Sequence, residues 1–286
     1  MKYLQEHISR ALDITITGFK SVNIDTAYLD ARLLLCAATG LSELALITQP
    51  ERKLSLYEAK NLSEMVLRRM ASEPVSQILG YKEFWSLKFE VTSDVLTPRP
   101  DSETVIEAIM KHIKKPTDPL RVLDLGTGSG CLLLALLSEC PNAKGVGVDI
   151  EKSAALLAQR NAERLSLNHR SAFVVSDWGE SVDSKFDIII SNPPYISTSQ
   201  VKHLSPEVAL YEPRCALDGG LDGLDSYRTL FPFTKSALVS GGLAFFEISY
   251  DQQEAIKTLA KAYGLGFLGF QSDIAGIDRV AILRQL

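Results

Sequence analysis

The sequence is poor in cysteine and has no apolar run long enough to cross a membrane. Its four cysteines stand apart, with no Cys-x-x-Cys pair and no histidine at zinc-ligand spacing, which favours free thiols in a reducing compartment over a metal site. A membrane-spanning helix needs about 20 apolar residues. The first residues, MKYLQEHISRALDI, carry charges inside their apolar pattern, unlike a signal peptide. We therefore expect a cytoplasmic protein with no membrane partner and no bound metal. The cysteines are Cys36, Cys131, Cys140 and Cys215.

The sequence also lacks a surplus of basic residues. Lysine and arginine total 30 against 35 aspartates and glutamates, so the formal net charge is −5 and the pI is near 5.5. Nucleic-acid-binding proteins usually carry excess positive charge because phosphate neutralisation dominates their affinity. The composition argues weakly against a DNA or RNA substrate, and we expect no direct nucleic-acid partner. The length of 286 residues is comfortable for two domains.

Residues 1–73 predict a small domain made only of helices. Apolar residues recur at helical spacing, and Asp25 stands where it could cap a helix over residues 27–38. Ser55 and Glu58 form the Ser-x-x-Glu pattern of a capping box, which predicts the start of another helix. No phosphate-binding loop or catalytic cluster occurs here, so we expect packing or partner recognition from this domain.

Residues 74–100 predict a connector between the helical domain and the rest of the chain. Strand-forming residues with partial alternation over residues 84–91 indicate a short β-hairpin. Pro98 and Pro100 force their predecessors into extended conformations, so a helix cannot form there. Asp101 is then the expected N-cap of the next helix.

Residues 101–286 predict a doubly wound α/β domain. The segment 186–190 is almost wholly apolar, as expected for a parallel strand buried on both faces. Strands and helices alternate in the way that specifies this class. The expected strands are residues 121–125, 145–148, 172–175, 186–190, 243–248, 267–271 and 280–283, and the expected helices are residues 131–138, 153–164, 227–238 and 253–262.

A glycine-rich loop directly follows the first of these strands and directly precedes a helix. Glycines let the backbone turn tightly and approach a ligand, and the helix N-terminus adds free N–H groups. Cys131 breaks the dinucleotide fingerprint, and no Lys-Ser/Thr follows to make a P-loop. The remaining Gly-x-Gly-x-Gly pattern is common in methyltransferases, although a tight turn without a ligand is an alternative. The expected cofactor-binding residues of the loop are Gly126, Thr127, Gly128, Ser129 and Gly130.

Acidic residues end the second and third strands of the domain. Asp149 stands where a carboxylate can accept both ribose hydroxyls of an adenosine cofactor, although it could instead cap the following helix. Asp177 and Trp178 follow the third strand, at a position that suits adenine recognition. A tryptophan that only packs in the core is almost as good an interpretation of Trp178.

The motif Asn192-Pro193-Pro194-Tyr195 follows the fourth strand. Two prolines stiffen the loop and leave carbonyl groups free to accept hydrogen bonds, and the Asn192 side chain offers another acceptor. Such acceptors suit a planar NH2 group, which the ring of Tyr195 could stack against. An ordinary Pro-Pro turn is the alternative. We expect Asn192, Pro193 and Tyr195 to be catalytic, all four residues to bind substrate, and Asn192 to lie beside the cofactor.

With these motifs the chain resembles the protein-(glutamine-N5) methyltransferases that modify peptide chain release factors. Asn-Pro-Pro-Tyr alone is shared with DNA adenine methyltransferases, but further segments extend the resemblance over nearly the whole chain. Those segments are Glu73-Pro74-Val75, Ile78-Leu79-Gly80, Phe84-Trp85, Pro98-Arg99-Pro100-Asp101-Ser102-Glu103, Tyr211-Glu212-Pro213, Ala216-Leu217, Gly223-Leu224-Asp225 and Asp278-Arg279-Val280. The departures are small: Ser102 replaces a common threonine, and Ser249-Tyr250 replaces a usual glycine.

The resemblance implies a fold, a cofactor and a substrate. The fold would be a Rossmann-like, seven-stranded methyltransferase domain with an antiparallel last strand, joined to a helical domain that helps to hold the substrate. The enzyme would transfer a methyl group from S-adenosylmethionine, leaving S-adenosylhomocysteine. The acceptor would be the glutamine of a Gly-Gly-Gln motif in release factors, in support of translation termination. A glutamine of a ribosomal protein, an adenine-N6 substrate and a regulator without catalysis remain as alternatives.

Overall fold

The computed structural model describes residues 3–286, which form two compact units. The first unit runs to Gly80 and also includes Ser205–Tyr211, and the second comprises Tyr81–Leu204 and Glu212–Leu286. No helix within residues 3–286 is both long enough and apolar enough to span a membrane.

The first unit is built only from helices, as the sequence predicted. Its core contains fully buried Phe19, Leu34, Leu35 and Leu62. Arg69 donates from Nε to Asp30 Oδ2 at 2.7 Å, so two charges inside this unit neutralise each other. The helices are α1 (Ile8–Ser21), α2 (Ala27–Thr39), α3 (Glu43–Thr48), α4 (Leu56–Met70), α5 (Val75–Leu79) and a later short helix, Pro206–Tyr211.

Two helix starts test the capping predictions for this unit. The Ser55–Glu58 capping box is confirmed, because the Ser55 hydroxyl accepts from the Glu58 N–H at 3.2 Å and Glu58 Oε2 accepts from the Ser55 N–H at 2.7 Å. The prediction that Asp25 caps α2 is wrong, since Thr26 is the N-cap. The Thr26 hydroxyl donates to Asp30 Oδ2 at 2.8 Å, so neither side chain at this start caps the backbone.

The connector contains the expected hairpin and a helix that the sequence did not predict. Strands β1 (Tyr81–Phe84) and β2 (Leu87–Glu90) pair antiparallel, with Phe84 opposite Leu87. Helix α5 precedes them. The prediction that Asp101 caps the next helix is wrong, because a 3-10 turn occupies Pro100–Ser102 and α6 starts after Ser102. Asp101 Oδ2 instead lies 3.3 Å from Arg279 Nη2.

The second unit contains the predicted seven-stranded sheet, in the order β5-β4-β3-β6-β7-β9-β8. Strand β9 is antiparallel to both neighbours, and the other neighbouring pairs are parallel. The strands are β3 (Arg121–Leu125), β4 (Lys144–Asp149), β5 (Ser171–Val175), β6 (Phe186–Ser191), β7 (Leu238–Glu247), β8 (Leu265–Ser272) and β9 (Asp278–Gln285). The helices are α6 (Glu103–His112), α7 (Cys131–Glu139), α8 (Lys152–Arg164), α9 (Thr198–Val201), α10 (Pro206–Tyr211, in the first unit), α11 (Asp225–Ala237) and α12 (Gln253–Ala262).

Apolar layers cover both faces of this sheet. Alternate residues of β6 enter opposite layers, with Ile188 and Ile190 on the side of α6 and α7 and Ile189 on the side of α11 and α12. The chain runs from β3 outward through β4 and β5, then returns to β6 on the other side of β3. Open α/β sheets bind ligands at the carboxyl ends of their strands at such a reversal. The fold therefore places a site beyond the ends of β3, β4 and β6.

Candidate active site

The glycine loop turns sharply between β3 and α7. Gly126, Gly128 and Gly130 have φ values of 74°, 54° and 79°, a region that other residues adopt only with strain. The N–H of Gly126 donates to the carbonyl of Val148 at 3.0 Å, which ties the loop to β4. A Cβ on Gly126 would lie 3.3 Å from the Trp178 ring. The loop therefore depends on glycine both for its conformation and for its packing.

Asp124 lies behind this loop and was not among the predicted site residues. Its carboxylate accepts a hydrogen bond from the Thr127 hydroxyl at 2.6 Å and is almost fully buried. Burial raises the pKa of Asp124 to about 7, and the nearby charge of Asp149 acts in the same direction. Asp124 does not line the cavity described below, so its contact with the loop is the hydrogen bond from Thr127.

Asp149 contacts the backbone on two sides and also faces the cavity, while the N-cap of α8 is Glu151. Its Oδ2 accepts from the N–H of Gly128 at 2.8 Å, and its Oδ1 accepts from the N–H of Glu151 at 3.0 Å. The carboxylate thus joins the glycine loop to the start of α8 while it also lines the cavity. Burial raises the pKa of Asp149, and hydrogen bonds from the two N–H groups oppose that rise.

Trp178 packs against the core and also lines the cavity. Its backbone has a φ of 46°, and its half-buried ring packs against the apolar layer of α11 and α12. The same residue lines the cavity together with exposed Asp177. The ring is therefore both part of the core boundary and part of the cavity wall.

The Asn192 loop is fixed through most of its polar groups. Asn192 Nδ2 donates to Ser102 Oγ at 3.2 Å, and the carbonyl of Pro194 accepts from the Ser226 hydroxyl at 3.0 Å. No group within residues 3–286 donates to Asn192 Oδ1 or to the carbonyl of buried Pro193. The loop thus keeps two acceptors without an internal donor, as its prolines and asparagine had suggested.

Tyr195 is the last residue of this motif, and both its side chain and its backbone are hydrogen-bonded. Its hydroxyl donates to Glu247 Oε1 at 3.1 Å, and its carbonyl accepts from Gln252 Nε2 at 3.1 Å. Burial raises the pKa of the Tyr195 hydroxyl, and the neighbouring Glu247 raises it further. Tyr195 lines a separate, polar cavity with residues such as Asp222.

A cavity of about 270 Å³ brings together most of the predicted cofactor residues at the carboxyl ends of β3 to β6. Gly130, Pro193 and Tyr195 do not line it. The predicted residues that line it are Gly126, Thr127, Gly128, Ser129, Asp149, Asp177, Trp178, Asn192 and Pro194.

One wall of this cavity was missed from the sequence. It consists of the extended segment around Arg99, which Glu212 holds in place from 113 residues away. Arg99 Nη2 donates to Glu212 Oε2 at 2.6 Å, and the N–H of Thr97 donates to Glu212 Oε1 at 3.4 Å. The segments Pro98-Arg99-Pro100 and Tyr211-Glu212-Pro213 both carry the family resemblance, and this is the signal in the sequence that could have paired them.

Glu247, at the end of β7, is a second buried acid that sequence reasoning missed. Burial raises its pKa, while hydrogen bonds from Ser102 and Tyr195 and the charge of Arg279 oppose the rise. Asp101 adds a smaller upward effect. The signal available in the sequence was an acidic residue, Glu247, directly after the apolar residues at the end of β7.

Comparison with known proteins gives matches over most of the chain. Residues 11–80 match the family described as PrmC N-terminal domain, and residues 100–209 match the family described as Methyltransferase small domain. A release factor glutamine methyltransferase from Caulobacter vibrioides is 42% identical over 264 residues, covering 92% of this chain and 91% of the relative. Another, from Bradyrhizobium diazoefficiens, is 43% identical over 270 residues, covering 93% of this chain and 91% of the relative.

A solved structure agrees with the fold. The crystal structure of a methyltransferase from Pyrococcus furiosus aligns with a TM-score of 0.53 at 17% identity. The alignment covers 79% of this chain and 98% of that one.

Proposed function

Because the chain belongs to the family of release factor glutamine methyltransferases, we propose that it methylates the side-chain nitrogen N5 of the glutamine in a release-factor Gly-Gly-Gln motif. The methyl donor is S-adenosylmethionine, and the reaction would support translation termination in the cytoplasm. The observation that carries this proposal is the pair of acceptors without internal donors, Asn192 Oδ1 and the Pro193 carbonyl. We also propose that the helical domain, residues 1–73, helps to hold the protein substrate, that residues 74–100 connect the domains and that residues 101–286 form the catalytic domain.

The cavity fits the cofactor by the chemistry of its lining. The half-buried carboxylate of Asp149 can accept from ribose hydroxyls, and the ring of Trp178 with the side chain of Asp177 offers a place for adenine. Lysine is absent from the lining, and the charge of Arg99 is already matched by Glu212. A mainly acidic and apolar lining suits a cationic ligand that carries an adenosine. Bound there, S-adenosylmethionine supplies an electrophilic methyl group.

The Asn192 loop would act by orientation rather than by proton abstraction. An amide nitrogen is a poor nucleophile because its lone pair is delocalised into the carbonyl. Asn192 Oδ1 and the Pro193 carbonyl would each accept one N–H of the substrate amide, which favours a pyramidal nitrogen with its lone pair directed away from the loop. After the nitrogen has taken the methyl group it would lose its extra proton. Pro194 keeps the loop rigid, and the ring of Tyr195 would fix the amide plane. Orientation of this kind can supply several kcal/mol of barrier reduction.

The decisive test is single-turnover methyl transfer to purified release factor, read by mass spectrometry of the Gly-Gly-Gln peptide. Asn192→Ala should lower the rate constant by about 10²–10³, the usual effect of losing one hydrogen bond in a preorganised site. Asn192→Asp keeps an acceptor and should retain more activity than the alanine variant. Asn142→Ala is the matched control, because Asn142 is exposed and its side chain donates to the Thr117 carbonyl at 2.8 Å, away from the loop.

Two results would contradict the proposal. Methylation of a ribosomal-protein glutamine or of adenine in DNA, with release factors left unmodified, would assign the site to another substrate. A wild-type rate in Asn192→Ala would show that this side chain only shapes the loop. Release factor with its Gly-Gly-Gln glutamine changed to alanine should accept no methyl group and serves as the substrate control.

A further inference from the structure

The Asn192 side chain has two ends of similar shape and opposite chemistry. The carbonyl end accepts hydrogen bonds, whereas the NH2 end only donates them. If the Asn192 carboxamide were turned by 180°, its NH2 group would face the N–H groups of the substrate amide. Donors would then face donors and would repel each other. The proposed reaction therefore requires something in the protein to fix which end faces the substrate.

Ser102 is the group that distinguishes the two ends. Asn192 Nδ2 donates to Ser102 Oγ at 3.2 Å, and Ser102 is only 3% exposed. A serine hydroxyl can itself donate as well as accept, so it selects the NH2 end only if its own hydrogen is engaged elsewhere. The orientation of Asn192 thus depends on a partner for the Ser102 hydrogen.

Glu247 provides that partner. Its Oε1 accepts from the Tyr195 hydroxyl at 3.1 Å, while its buried Oε2 has no well-formed hydrogen bond from any group within residues 3–286. A hydrogen bond from the Ser102 hydroxyl to this carboxyl acts to lower the pKa of Glu247, against the effect of burial. A buried carboxylate oxygen without a donor is costly, so the hydroxyl hydrogen turns towards it. Donation then runs in one direction, from Asn192 to Ser102 to Glu247.

We propose that Ser102 and Glu247 are positioning residues for methyl transfer, which hold the Asn192 carboxamide with Oδ1 towards the substrate amide. This inference rests on the proposed function, because it needs an amide acceptor at the loop. Glu247 also holds the Tyr195 hydroxyl, so one carboxylate fixes both ends of the Asn-Pro-Pro-Tyr loop. Arg279 and Asp101 are the other charged groups that act on this carboxyl.

Four variants test this chain of hydrogen bonds by single-turnover methyl transfer at saturating cofactor and release factor. Ser102→Ala frees the carboxamide to turn, and the rate constant should fall about 3- to 10-fold, as for one neutral hydrogen bond. Ser102→Thr keeps the hydroxyl and should restore most of that loss. Glu247→Gln places an NH2 group against one of the two hydroxyls and should also lower the rate. The double variant Ser102→Ala with Glu247→Gln should be no more than about 2-fold slower than the slower of its two single variants.

Affinity for S-adenosylmethionine, measured by calorimetry in parallel, separates positioning from cofactor contact, because Ser102 also lines the cavity. The proposal expects dissociation constants within about 2-fold of wild type. It is overturned if Ser102→Ala weakens cofactor binding while the saturated rate constant is unchanged, or if the losses of the two single variants multiply. Ser138→Ala, on α7, is the matched control for a serine bound to a backbone carbonyl. Failure of the wild-type enzyme to methylate release factor would refute the proposed function instead.

Discussion

Replacing Asp124 by asparagine should stabilise the cofactor-free protein at alkaline pH. The wild-type carboxyl is almost fully buried: its Oδ2 accepts from Thr127 Oγ1, and its Oδ1 has no well-formed hydrogen bond within the described part of the chain. The ionised form of such a group is cut off from water and gains few hydrogen bonds in return. Burial therefore favours the protonated form and raises the pKa of Asp124. Asparagine keeps an acceptor for Thr127 and removes the charge.

The magnitude follows from linkage. The pKa of Asp124 rises from an ordinary 3.8 to about 7 in the folded chain, which corresponds to about 4 kcal/mol when the carboxyl is fully ionised. The folded state binds this proton more tightly than the unfolded state. The contribution of Asp124 to stability therefore falls as the pH rises from about 4 to 7. The stability advantage of Asp124→Asn should grow by about 2–3 kcal/mol between pH 5 and pH 8.

Urea denaturation of cofactor-free wild type and variant at pH 5 and pH 8 measures this difference. Comparing the two proteins at each pH cancels the other titrating groups that the variant shares with wild type. Asp183→Asn, which changes an exposed carboxyl of the same unit, should show no such growth with pH. An advantage of Asp124→Asn that stays constant across this range would refute the assigned cause of the pKa shift.

Three further changes test other parts of the structure. Burial raises the pKa of Asp149, and the charged form of its carboxyl is the better hydrogen-bond acceptor. The affinity for the cofactor, measured by calorimetry, should therefore fall as the pH drops through that pKa. Asp149→Asn should make the affinity less dependent on pH in this range. Gly223→Ala should lower single-turnover rates by about tenfold or more. The new Cβ would lie 2.3 Å from the Tyr195 carbonyl oxygen, and the φ of Gly223 is 75°. Gly241→Ala is the control, because a Cβ at Gly241 has open space around it. Arg69→Ala leaves Asp30 buried without its cation and should cost about 3–5 kcal/mol by denaturation, with cofactor affinity retained if the loss is confined to the helical unit.

Local patterns predicted most of the fold. Strand β6 reads as an apolar run because both of its faces are buried, and the Ser55–Glu58 capping box is formed by residues three positions apart. Asp25 is not the cap, because α2 begins at Ala27 and its N-cap is therefore Thr26. The Thr26 side chain bonds to Asp30 instead of capping the backbone. Competition of that kind depends on rotamers, which a sequence pattern does not contain.

The site was predictable where the cofactor loops follow individual strands, and it was not where distant segments meet. Gly126 and Asp149 each sit directly beyond a strand, so alternation alone placed them at one edge of the sheet. The ion pair of Arg99 with Glu212 spans 113 residues, and no local period relates the two. The position of Tyr195 beside Glu247 likewise required the pairing of β6 with β7.

The helical unit is not a contiguous stretch of chain. Its last segment, Ser205–Tyr211, follows more than half of the second unit in the sequence. Within the helical unit the Tyr211 carbonyl accepts from Gln77 Nε2 at 2.9 Å, and the Tyr211 hydroxyl donates to the Ala71 carbonyl at 2.8 Å. A fragment cut after Gly80 would lose both bonds, together with the ion pair of Arg69 with Glu207 at 3.0 Å. The backbone passes from one unit to the other three times, so a cut after Gly80 separates most of the helical unit from the second unit while Ser205–Tyr211 stays covalently attached to it.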